Sequence, residues 1–286
     1  MAVIAVLATV AAAGAAWVGV PRFLALIERA GFVRANYAGR RIPCAAGTVL
    51  ALIYGGVLLL MMAADAAWRA VRQAGAPLSG GVDPLWAAVC VVTFSLGLVG
   101  LADDVFGDRT ATGLAGHLTQ LRAGVITTGA VKAFAGVIVG AAAAVLVSAG
   151  PADWVLNTPL IALCTNAVNL LDLRPGRAVK GFGVFVALLW LAAPGHPVWL
   201  YVAPLAAVAA VYLPWDLRAR AMMGDAGANL LGGVAGVAAA AALSPLARLA
   251  VLSLLLAVHL YAERASLSDL IERVAPLRWL DQWGRG

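Results

Sequence analysis

The feature that most constrains this chain is its series of apolar runs, several of which are long enough to cross a lipid bilayer. Of its 286 residues, 63% are hydrophobic and only 12% are charged, and short charged loops separate the runs. In lipid, only helices and closed barrels satisfy every backbone polar group, and the sequence lacks the alternating pattern of barrel strands. The sequence therefore predicts an all-α fold, a polytopic integral membrane helical bundle.

About nine transmembrane helices are predicted, with ten as the alternative. The segments cover residues 2–27, 46–67, 84–102, 125–148, 156–172, 181–195, 198–214, 226–243 and 246–262. Together they form a predicted transmembrane domain over residues 1–262. The segment 156–172 contains Asn and Asp side chains, so it is expected to face the protein interior.

Basic residues are distributed unevenly between the loops on the two sides of this bundle. The loops after even-numbered segments hold only three of them, Arg69, Arg72 and Arg248. Because cytoplasmic loops are enriched in Lys and Arg, the N-terminus is predicted outside the cell and the more basic loops in the cytoplasm. These cytoplasmic loops are 29–45, 103–124, 172–181 and 215–226. The expected localisation is the inner (plasma) membrane, with any active site facing the cytoplasm.

Residues 263–286 form a predicted cytoplasmic tail in which apolar residues recur at helical spacing among Arg and Asp. The pattern predicts an amphipathic helix, with Pro276 as a kink and with Trp279 and Trp283 suited to the membrane interface. The helix either lies on the cytoplasmic membrane surface or packs on the other cytoplasmic loops. The net charge of +6 is better explained by membrane orientation and lipid head groups than by nucleic acid, which is excluded as a partner.

Two adjacent aspartates, Asp103 and Asp104, end the apolar run 85–102 where membrane meets water. Neighbouring carboxylates repel each other unless a cation, a proton or a basic partner shares the site. Hard oxygen ligands suit magnesium. The pair therefore marks either a metal-assisted site or simply the end of a helix at the interface.

Further polar clusters lie on the same predicted face. Asn166, Asn169 and Asp172 share nearly one side of a helix, which can line a polar cavity or pack against another helix. Asp225 stands among glycines before a Gly-rich span, where a helix N-terminus would favour phosphate or the aspartate would only cap the helix. The convergence of these clusters on one face favours chemistry over helix-end decoration.

Basic side chains surround this acidic centre in the predicted topology. The candidates for phosphate binding are Arg40, Arg41, Arg174, Arg177 and Lys180. Each of them also fits a simple marker of the cytoplasmic side. Lys132 differs because it lies well inside a predicted span, where it needs a carboxylate, a phosphate or a short path to water.

Four motifs, in this order, resemble those of the polyprenyl-phosphate N-acetylhexosamine-1-phosphate transferases, which form glycosyltransferase family 4. The family includes phospho-N-acetylmuramoyl-pentapeptide translocase and undecaprenyl-phosphate GlcNAc-1-phosphate transferase. The motifs are Asn36-Tyr37-x-Gly39-Arg40-x-Ile42-Pro43, Gly100-Leu101-Ala102-Asp103-Asp104, Asn166-Ala167-Val168-Asn169-Leu170-Leu171-Asp172 and Met223-Gly224-Asp225-x-Gly227. The motifs span most of the chain. The chain therefore resembles a divergent member of this family.

The resemblance implies magnesium-dependent transfer of a sugar 1-phosphate from a UDP-sugar to a polyprenyl phosphate, usually undecaprenyl phosphate, on the cytoplasmic membrane face. It also implies that Asp225, together with Asp103, holds the magnesium, with Mn²⁺ as the alternative metal. Asp103 and Asp104 would assist the metal or handle the proton of the acceptor. UMP would be the second product, and the lipid product would enter cell-envelope glycan synthesis.

The same resemblance assigns the substrate-binding residues. Asn169 and Asp172 would line the nucleotide side, and Lys132 looks like the lysine that the family carries near the start of its fourth helix. Asn36, Arg40, Arg41 and Asn166, which lie in the matching motifs, are the other expected substrate contacts. Arg174, Arg177 and Lys180 form an additional basic cluster, which is expected to bind a different phosphate or sugar.

The chain departs from the family pattern in three places. The family continues its third motif as Asp-Gly-x-Asp-Gly, whereas here Asp172 is followed by Leu173-Arg174-Pro175-Gly176, so Pro175 replaces the second acid. The histidine-rich motif of the last cytoplasmic loop and a tenth span are missing. The family uses the missing loop residues around the nucleotide and the sugar, so these departures affect the expected donor sugar more than the expected fold. They argue against the pentapeptide substrate.

Two other functions compete with the transferase. A family-derived protein could bind polyprenyl phosphate or nucleotide without turnover, as a partner of another envelope enzyme. A transporter would instead need polar groups along a route to both faces, whereas here they gather at one face. The Gly- and Ala-rich spans are compatible with a homodimer, and equally with close packing inside one chain.

Overall fold

The computed structural model describes residues 2–72, 82–107 and 113–285. The described residues form twelve helices and one two-stranded antiparallel hairpin. The helices are α1 (Ala2–Arg29), α2 (Thr48–Arg72), α3 (Pro84–Phe106), α4 (Gly113–Arg122), α5 (Thr128–Val147), α6 (Pro151–Leu171), α7 (Arg177–Ala192), α8 (Trp199–Leu217), α9 (Gly224–Ala242), α10 (Pro245–Ala262), α11 (Leu267–Arg273) and α12 (Ala275–Gln282). The strands are β1 (Val33–Ala35) and β2 (Arg41–Pro43).

The prediction of an all-α, polytopic membrane bundle is confirmed. A helix occupies each of the nine predicted segments, and eight of these helices are long and apolar enough to cross a membrane. The eight are α1, α2, α3, α5, α6, α8, α9 and α10. The ninth, α7, has 16 residues and would be about 24 Å long at 1.5 Å per residue, which is shorter than a typical hydrocarbon core.

Helix α9 lies at the centre of the bundle, where it packs mainly against α3 and α6. Its glycines allow this close approach, because a Cβ at Gly236 would lie 2.8 Å from the Ile161 Cα and one at Gly232 would lie 2.5 Å from the Cys164 carbonyl oxygen. These small residues of α9 therefore serve packing within one chain.

Several predicted boundaries were wrong because tertiary contacts extend the helices beyond their apolar runs. Helix α3 continues through Asp103 and Asp104 to Phe106, so both aspartates lie in its last two turns and not in a loop. Helix α7 begins at Arg177, before the predicted start at residue 181. The short helix α4 and the hairpin β1–β2 were predicted as loops, since neither has a long apolar period.

The tail is helical, as predicted, and it forms two short helices in place of one helix kinked at Pro276. The break falls at Val274, whose extended backbone ends α11 and precedes α12, with Pro276 in the first turn of α12. Helix α12 packs against α7. Arg285, just after α12, donates to Pro175 O in the α6–α7 loop, and this contact agrees with the alternative in which the tail packs on the other cytoplasmic loops.

Candidate active site

The amino end of α9 is capped by two carboxylates, one near the end of α3 and one just after α6. Asp104, near the end of α3, accepts hydrogen bonds from the backbone N–H groups of Asp225 (2.9 Å) and Ala226 (3.1 Å). Asp172, which follows the last residue of α6, accepts one from the N–H of Gly224 at 3.0 Å. Because these N–H groups have no partner within the helix, the two carboxylates cap α9 and favour its dipole.

This capping corrects two sequence-based expectations. The N-terminus of α9 was expected either to attract phosphate or to be capped by Asp225 itself, but its first three N–H groups are bonded to Asp104 and Asp172. Both side-chain oxygens of Asp104 are used in this way. Asp104, predicted to be catalytic, therefore fixes the position of Asp225.

Gly224 makes the arrangement possible. Its φ of +74° is in the left-handed region, and a Cβ there would lie 2.6 Å from the Asp104 carboxylate oxygens. Gly100 of α3 allows the second close approach, since its Cβ would lie 2.5 Å from the Asp225 carbonyl oxygen. The two glycines let α3 and the start of α9 meet backbone to backbone.

Lys132 lies between two of the predicted acidic residues. Its Nζ donates to Asp225 Oδ2 in a short ion pair and lies 3.4 Å from Asp103 Oδ2. All three side chains are only about one-fifth exposed, at 21%, 19% and 21% for Lys132, Asp103 and Asp225. The lysine from α5 thus supplies the cation that the paired carboxylates of α3 and α9 require.

Asn169 of α6 completes this cluster. With its amide nitrogen facing Asp225, it donates to Oδ1 at 2.7 Å, and its oxygen accepts from Lys132 Nζ at 2.9 Å. Asn166 lies one turn earlier on α6 and is half-buried. The predicted face of α6 is therefore joined to the acidic cluster through Asn169.

The hairpin β1–β2 and the α8–α9 loop are joined through their backbones. Met222 N–H donates to Pro43 O at 2.8 Å, and the N–H groups of Ala46 and Gly47 donate to Met222 O (3.0 Å) and Met223 O (2.7 Å). This pairing places the first motif beside the start of α9. Arg34, which sequence reasoning did not select, donates to the backbone oxygen of Asp104 at 2.8 Å.

The predicted substrate contacts in the hairpin fall into two groups. Asn36 shapes the turn itself, because its Oδ1 accepts from the N–H groups of Ala38 (2.9 Å) and Arg40 (3.0 Å). The side chains of Arg40 and Arg41 are exposed beside this turn. The guanidinium of Arg174 lies 5.0 Å from the ring centre of Tyr37, so the hairpin tip meets the loop after α6.

Arg177 and Lys180 were expected to offer free donors around the acidic cluster. In the structure their donors are used by the tail instead. Arg177 forms a two-pronged ion pair with Asp281 of the tail, at 2.8 and 3.0 Å. Lys180 Nζ donates to three backbone oxygens of the tail. The expectation failed because their partners lie about a hundred residues further along the chain, where sequence spacing gives no signal.

The electrostatics of the α6–α7 loop are unusual at Asp172. Removal from water raises the pKa of Asp172 well above its usual range, and the nearby Asp216 carboxylate adds to the effect. The hydrogen bond from the Gly224 N–H acts in the opposite direction. Asp216, at the end of α8, is 4% exposed and accepts from the Gly176 N–H at 3.0 Å.

The acidic residues fit a magnesium ion that shares its coordination with substrate. Among the described residues no group of three or more His, Cys, Asp or Glu side chains is arranged around a common point. Asp103 and Asp225 meet at Lys132, and within the described part of the chain Asp103 Oδ1 is buried with no hydrogen-bond partner. Magnesium typically takes one or two carboxylates and completes its shell with water and phosphate oxygens, so this donor set suits it.

The fold and the site define a polytopic membrane protein whose acidic centre, joined by one lysine, lies at one end of the helical bundle. The model of glycosyl transferase family 4 matches residues 86–243, more than half of the chain. The chain belongs to glycosyl transferase family 4, as the motifs predicted, and the family together with the membrane helices supports a membrane-embedded phospho-sugar transferase that uses a polyprenyl phosphate. A search of curated proteins gives no match.

The matched segment contains most of the site. Asp103, Lys132, Asn169, Asp172 and Asp225 all lie within it. The hairpin β1–β2 and the tail helices α11 and α12 lie outside it.

Proposed function

We propose that the protein transfers a sugar 1-phosphate from a UDP-sugar to a polyprenyl phosphate, undecaprenyl phosphate in particular, and releases UMP. The reaction depends on magnesium, takes place on the cytoplasmic face of the inner membrane and supplies cell-envelope glycan synthesis. The observation that carries the proposal is the cluster in which Lys132 joins carboxylates of α3 and α9.

The proposed step is attack by one phosphate on another. A phosphate oxygen of the lipid forms a bond to the β-phosphorus of the UDP-sugar, and the bond between that phosphorus and the bridging oxygen breaks. The bridging oxygen leaves with its electron pair on UMP, and the lipid keeps the sugar through a new pyrophosphate. Several negative charges approach each other, so fixed cations and dipoles are expected to provide most of the stabilisation.

The residues of the cluster divide this work. Lys132 offers positive charge beside Asp225 and Asp103 and is held in place by Asn169. Asp104 keeps the start of α9 in position through two backbone hydrogen bonds. The exposed guanidinium groups of Arg40 and Arg41 lie at the hairpin, where they would meet phosphate groups arriving from water.

Asp225 and Asp103 would hold the magnesium ion, with manganese as the alternative. When bound, the ion offsets the negative charge of the phosphate groups. Asp103 Oδ1 supports this assignment because it is buried and lacks a partner within the described residues.

The lipid acceptor explains the position of the cluster. Asp103 lies in the last turn of an apolar helix and Lys132 lies in the second turn of another, so both side chains are at the boundary of the hydrocarbon layer. A prenyl chain can stay in the bilayer while its phosphate reaches this boundary. The loops at this end carry the larger share of Arg and Lys, which supports a cytoplasmic orientation.

The test uses purified protein in detergent with undecaprenyl phosphate, magnesium and a panel of UDP-sugars, and it measures UMP and the lipid product. Turnover with one sugar should be abolished by EDTA and by Asp225→Asn. Asp65→Asn is the matched control, because Asp65 is exposed on α2 and pairs with Arg69 of the same helix. Turnover that survives in Asp225→Asn would overturn the proposed site.

A second candidate is binding of polyprenyl phosphate or nucleotide without turnover, as a partner of another envelope enzyme. Two observations favour it: Pro175 stands where the resemblance predicts an acid, and the tail already engages Arg177 and Lys180. Binding of undecaprenyl phosphate together with no UMP release from any UDP-sugar would select this candidate.

A further inference from the structure

The C-terminal tail is attached to the start of α7 by a buried ionic cluster. Asp281 of α12 is 8% exposed and accepts two hydrogen bonds from Arg177, at 2.8 and 3.0 Å. It also accepts two from Arg285, at 2.6 and 2.8 Å. Arg177 uses its remaining terminal nitrogen to donate to the Ser268 hydroxyl of α11 at 2.9 Å. The guanidinium of Arg177 thus joins both tail helices to α7, and its contact with Asp281 is two-pronged.

Lys180 closes the carboxyl end of α12. Its Nζ donates to the backbone oxygens of Leu280 (2.8 Å), Asp281 (2.5 Å) and Trp283 (3.2 Å). The oxygens of Leu280 and Asp281 belong to the last turn of α12, and Trp283 follows its last residue. Backbone oxygens at a helix carboxyl end have no partner within the helix and favour a cation. The lysine is 7% exposed, so its charge is used for docking the tail and not for solvent contact.

The same tail reaches the loop between α6 and α7. Arg285 Nε donates to the backbone oxygen of Pro175 at 2.8 Å. The next residue, Gly176, is held by Asp216, which accepts from its N–H at 3.0 Å, and its φ of +73° requires a glycine-like conformation. The middle of the loop is therefore fixed from one side by Arg285 and from the other by α8.

The opposite side of this short loop belongs to the candidate active site. Asp172 binds the first N–H of α9, and Arg174 lies against the ring of Tyr37 at the hairpin tip. Only two residues, Leu173 and Arg174, separate Asp172 from Pro175. A displacement of Pro175 by an ångström or more would thus be transmitted to both site residues, because so short a segment has few torsions to absorb it.

We propose that the tail is a clamp that positions the 172–177 loop, with Asp281 and Arg285 as its positioning residues. The clamp holds Asp172 against α9 and Arg174 against the hairpin. The consequence for catalysis rests on the proposed function: if Asp172 lines the nucleotide side, a loosened loop raises the KM for the UDP-sugar more than the KM for the lipid. Simple anchoring of the tail would change neither.

The first measurement follows hydrogen exchange of the loop amides in the purified full-length protein. Asp281→Asn removes the charge that four hydrogen bonds use, and Asp269→Asn on the exposed surface of α11 is its control. Exchange of the amides of residues 172–174, 176 and 177 should accelerate at least about tenfold in Asp281→Asn and stay unchanged in Asp269→Asn, since hydrogen bonds to charged groups are the stronger ones. Unchanged exchange in Asp281→Asn would overturn the clamp.

A second pair of variants guards against misfolding of Asp281→Asn. Arg285→Ala removes the bond to Pro175 and the two bonds to Asp281 but leaves the pair of Arg177 and Asp281, and Arg273→Ala on the exposed side of α11 is its control. Arg285→Ala should accelerate exchange of the loop while α7 and α12 keep most of their protection. Equal exchange in the two variants would show that the tail does not hold the loop.

The kinetic measurement separates positioning from anchoring. In both Asp281→Asn and Arg285→Ala, the KM for the UDP-sugar should rise several-fold, by about 3–10-fold, with the KM for undecaprenyl phosphate nearly unchanged. A loosened loop with an unchanged donor KM would overturn the positioning role. If no UDP-sugar turns over even in the unmodified protein, the proposed function fails, whereas the exchange measurement still decides whether the clamp exists.

Discussion

The ammonium group of Lys132 is paired directly with the carboxylate of Asp225, although the two residues come from different membrane helices and are 93 positions apart in the chain. The same nitrogen lies 3.4 Å from Asp103. Three helices, α3, α5 and α9, thus meet at one charge. The pair explains how two carboxylates can be held close together at a membrane boundary.

Replacement of Lys132 by Met should therefore be costly. It leaves two largely buried carboxylates without a cation, and loss of one partner from such a pair typically costs about 3–5 kcal/mol. We expect a lower midpoint of thermal unfolding and loss of UMP release. Lys132→Arg keeps the charge, so it should recover much of the stability but less of the activity, because a planar guanidinium does not replace a compact ammonium. Full turnover in Lys132→Met would contradict the proposed site.

Magnesium should stabilise the folded protein if Asp103 and Asp225 hold it. A ligand at a hundred times its Kd adds about 2.7 kcal/mol to the free energy of unfolding. The midpoint of thermal unfolding should therefore rise with magnesium and fall back with EDTA. Asp225→Asn should lose most of this shift, and Asp65→Asn should keep it. The same shift in Asp225→Asn as in the unmodified protein would place the ion elsewhere.

Gly224 should not tolerate alanine. Its left-handed backbone costs an L-residue about 1–2 kcal/mol, and the added Cβ would displace the Asp104 carboxylate that caps α9. Gly224→Ala should lower both stability and UMP release. Gly136→Ala in α5 is the matched control, because open space surrounds its Cβ position among the described residues and its backbone is helical. Similar turnover in the two variants would argue against a strict requirement for the Asp104 cap.

The apolar runs were sufficient to predict the bundle, since length and hydropathy alone decide which segments can cross a bilayer. The acidic motifs also predicted a common site, and Asp103, Asp225 and Lys132 do meet. The sequence could not reveal the partners of the basic residues. Arg177 and Lys180 were predicted to be free loop cations, because nothing in the sequence near them indicates a contact with Asp281.

Capping was equally hard to predict. Asp104 and Asp172 cap a helix that starts about 121 and 52 residues later in the chain, so no local capping pattern exists. The sequence offered only a weak indication that Asp216 and Arg34 belong near the site, namely that each is a charged residue close to a segment end. Both side chains bond to backbone atoms, of Gly176 and Asp104, and a pattern of side chains cannot predict such contacts.

The other end of the bundle carries a polar network that should serve stability alone. Arg248 is 7% exposed at its side chain and donates to Asp153 at 3.0 Å and Asn157 at 2.9 Å, and Asn157 donates to Ser148 at 2.9 Å. Arg248→Met should destabilise the protein by about 3–5 kcal/mol because it leaves Asp153 unpaired. UMP release per folded molecule should not change.

The control for this network is Arg69→Met. Arg69 and Asp65 form an exposed pair within α2, at 38% and 56% side-chain exposure. Such surface pairs contribute about 0–1 kcal/mol, so the unfolding midpoint should barely move.

Loss of activity in a folded Arg248→Met protein would contradict a purely structural role for this network. It would show that the two ends of the bundle are functionally coupled, as a transporter would require.

The attachment of the tail should weaken under acid conditions. Burial alone would raise the pKa of Asp281, but hydrogen bonds from Arg177 and Arg285 outweigh it and hold the pKa below its ordinary value of 3.8. A carboxyl with a lowered pKa contributes stability that is complete above its ordinary value and is lost as the pH falls through the lowered one. Protection of the α12 amides, corrected for intrinsic exchange, should thus be constant between about pH 4 and 7 and should fall below that range. Asp281→Asn should show weak protection at every pH, and a drop in the unmodified protein near neutral pH would mean that a different group controls the docking of the tail.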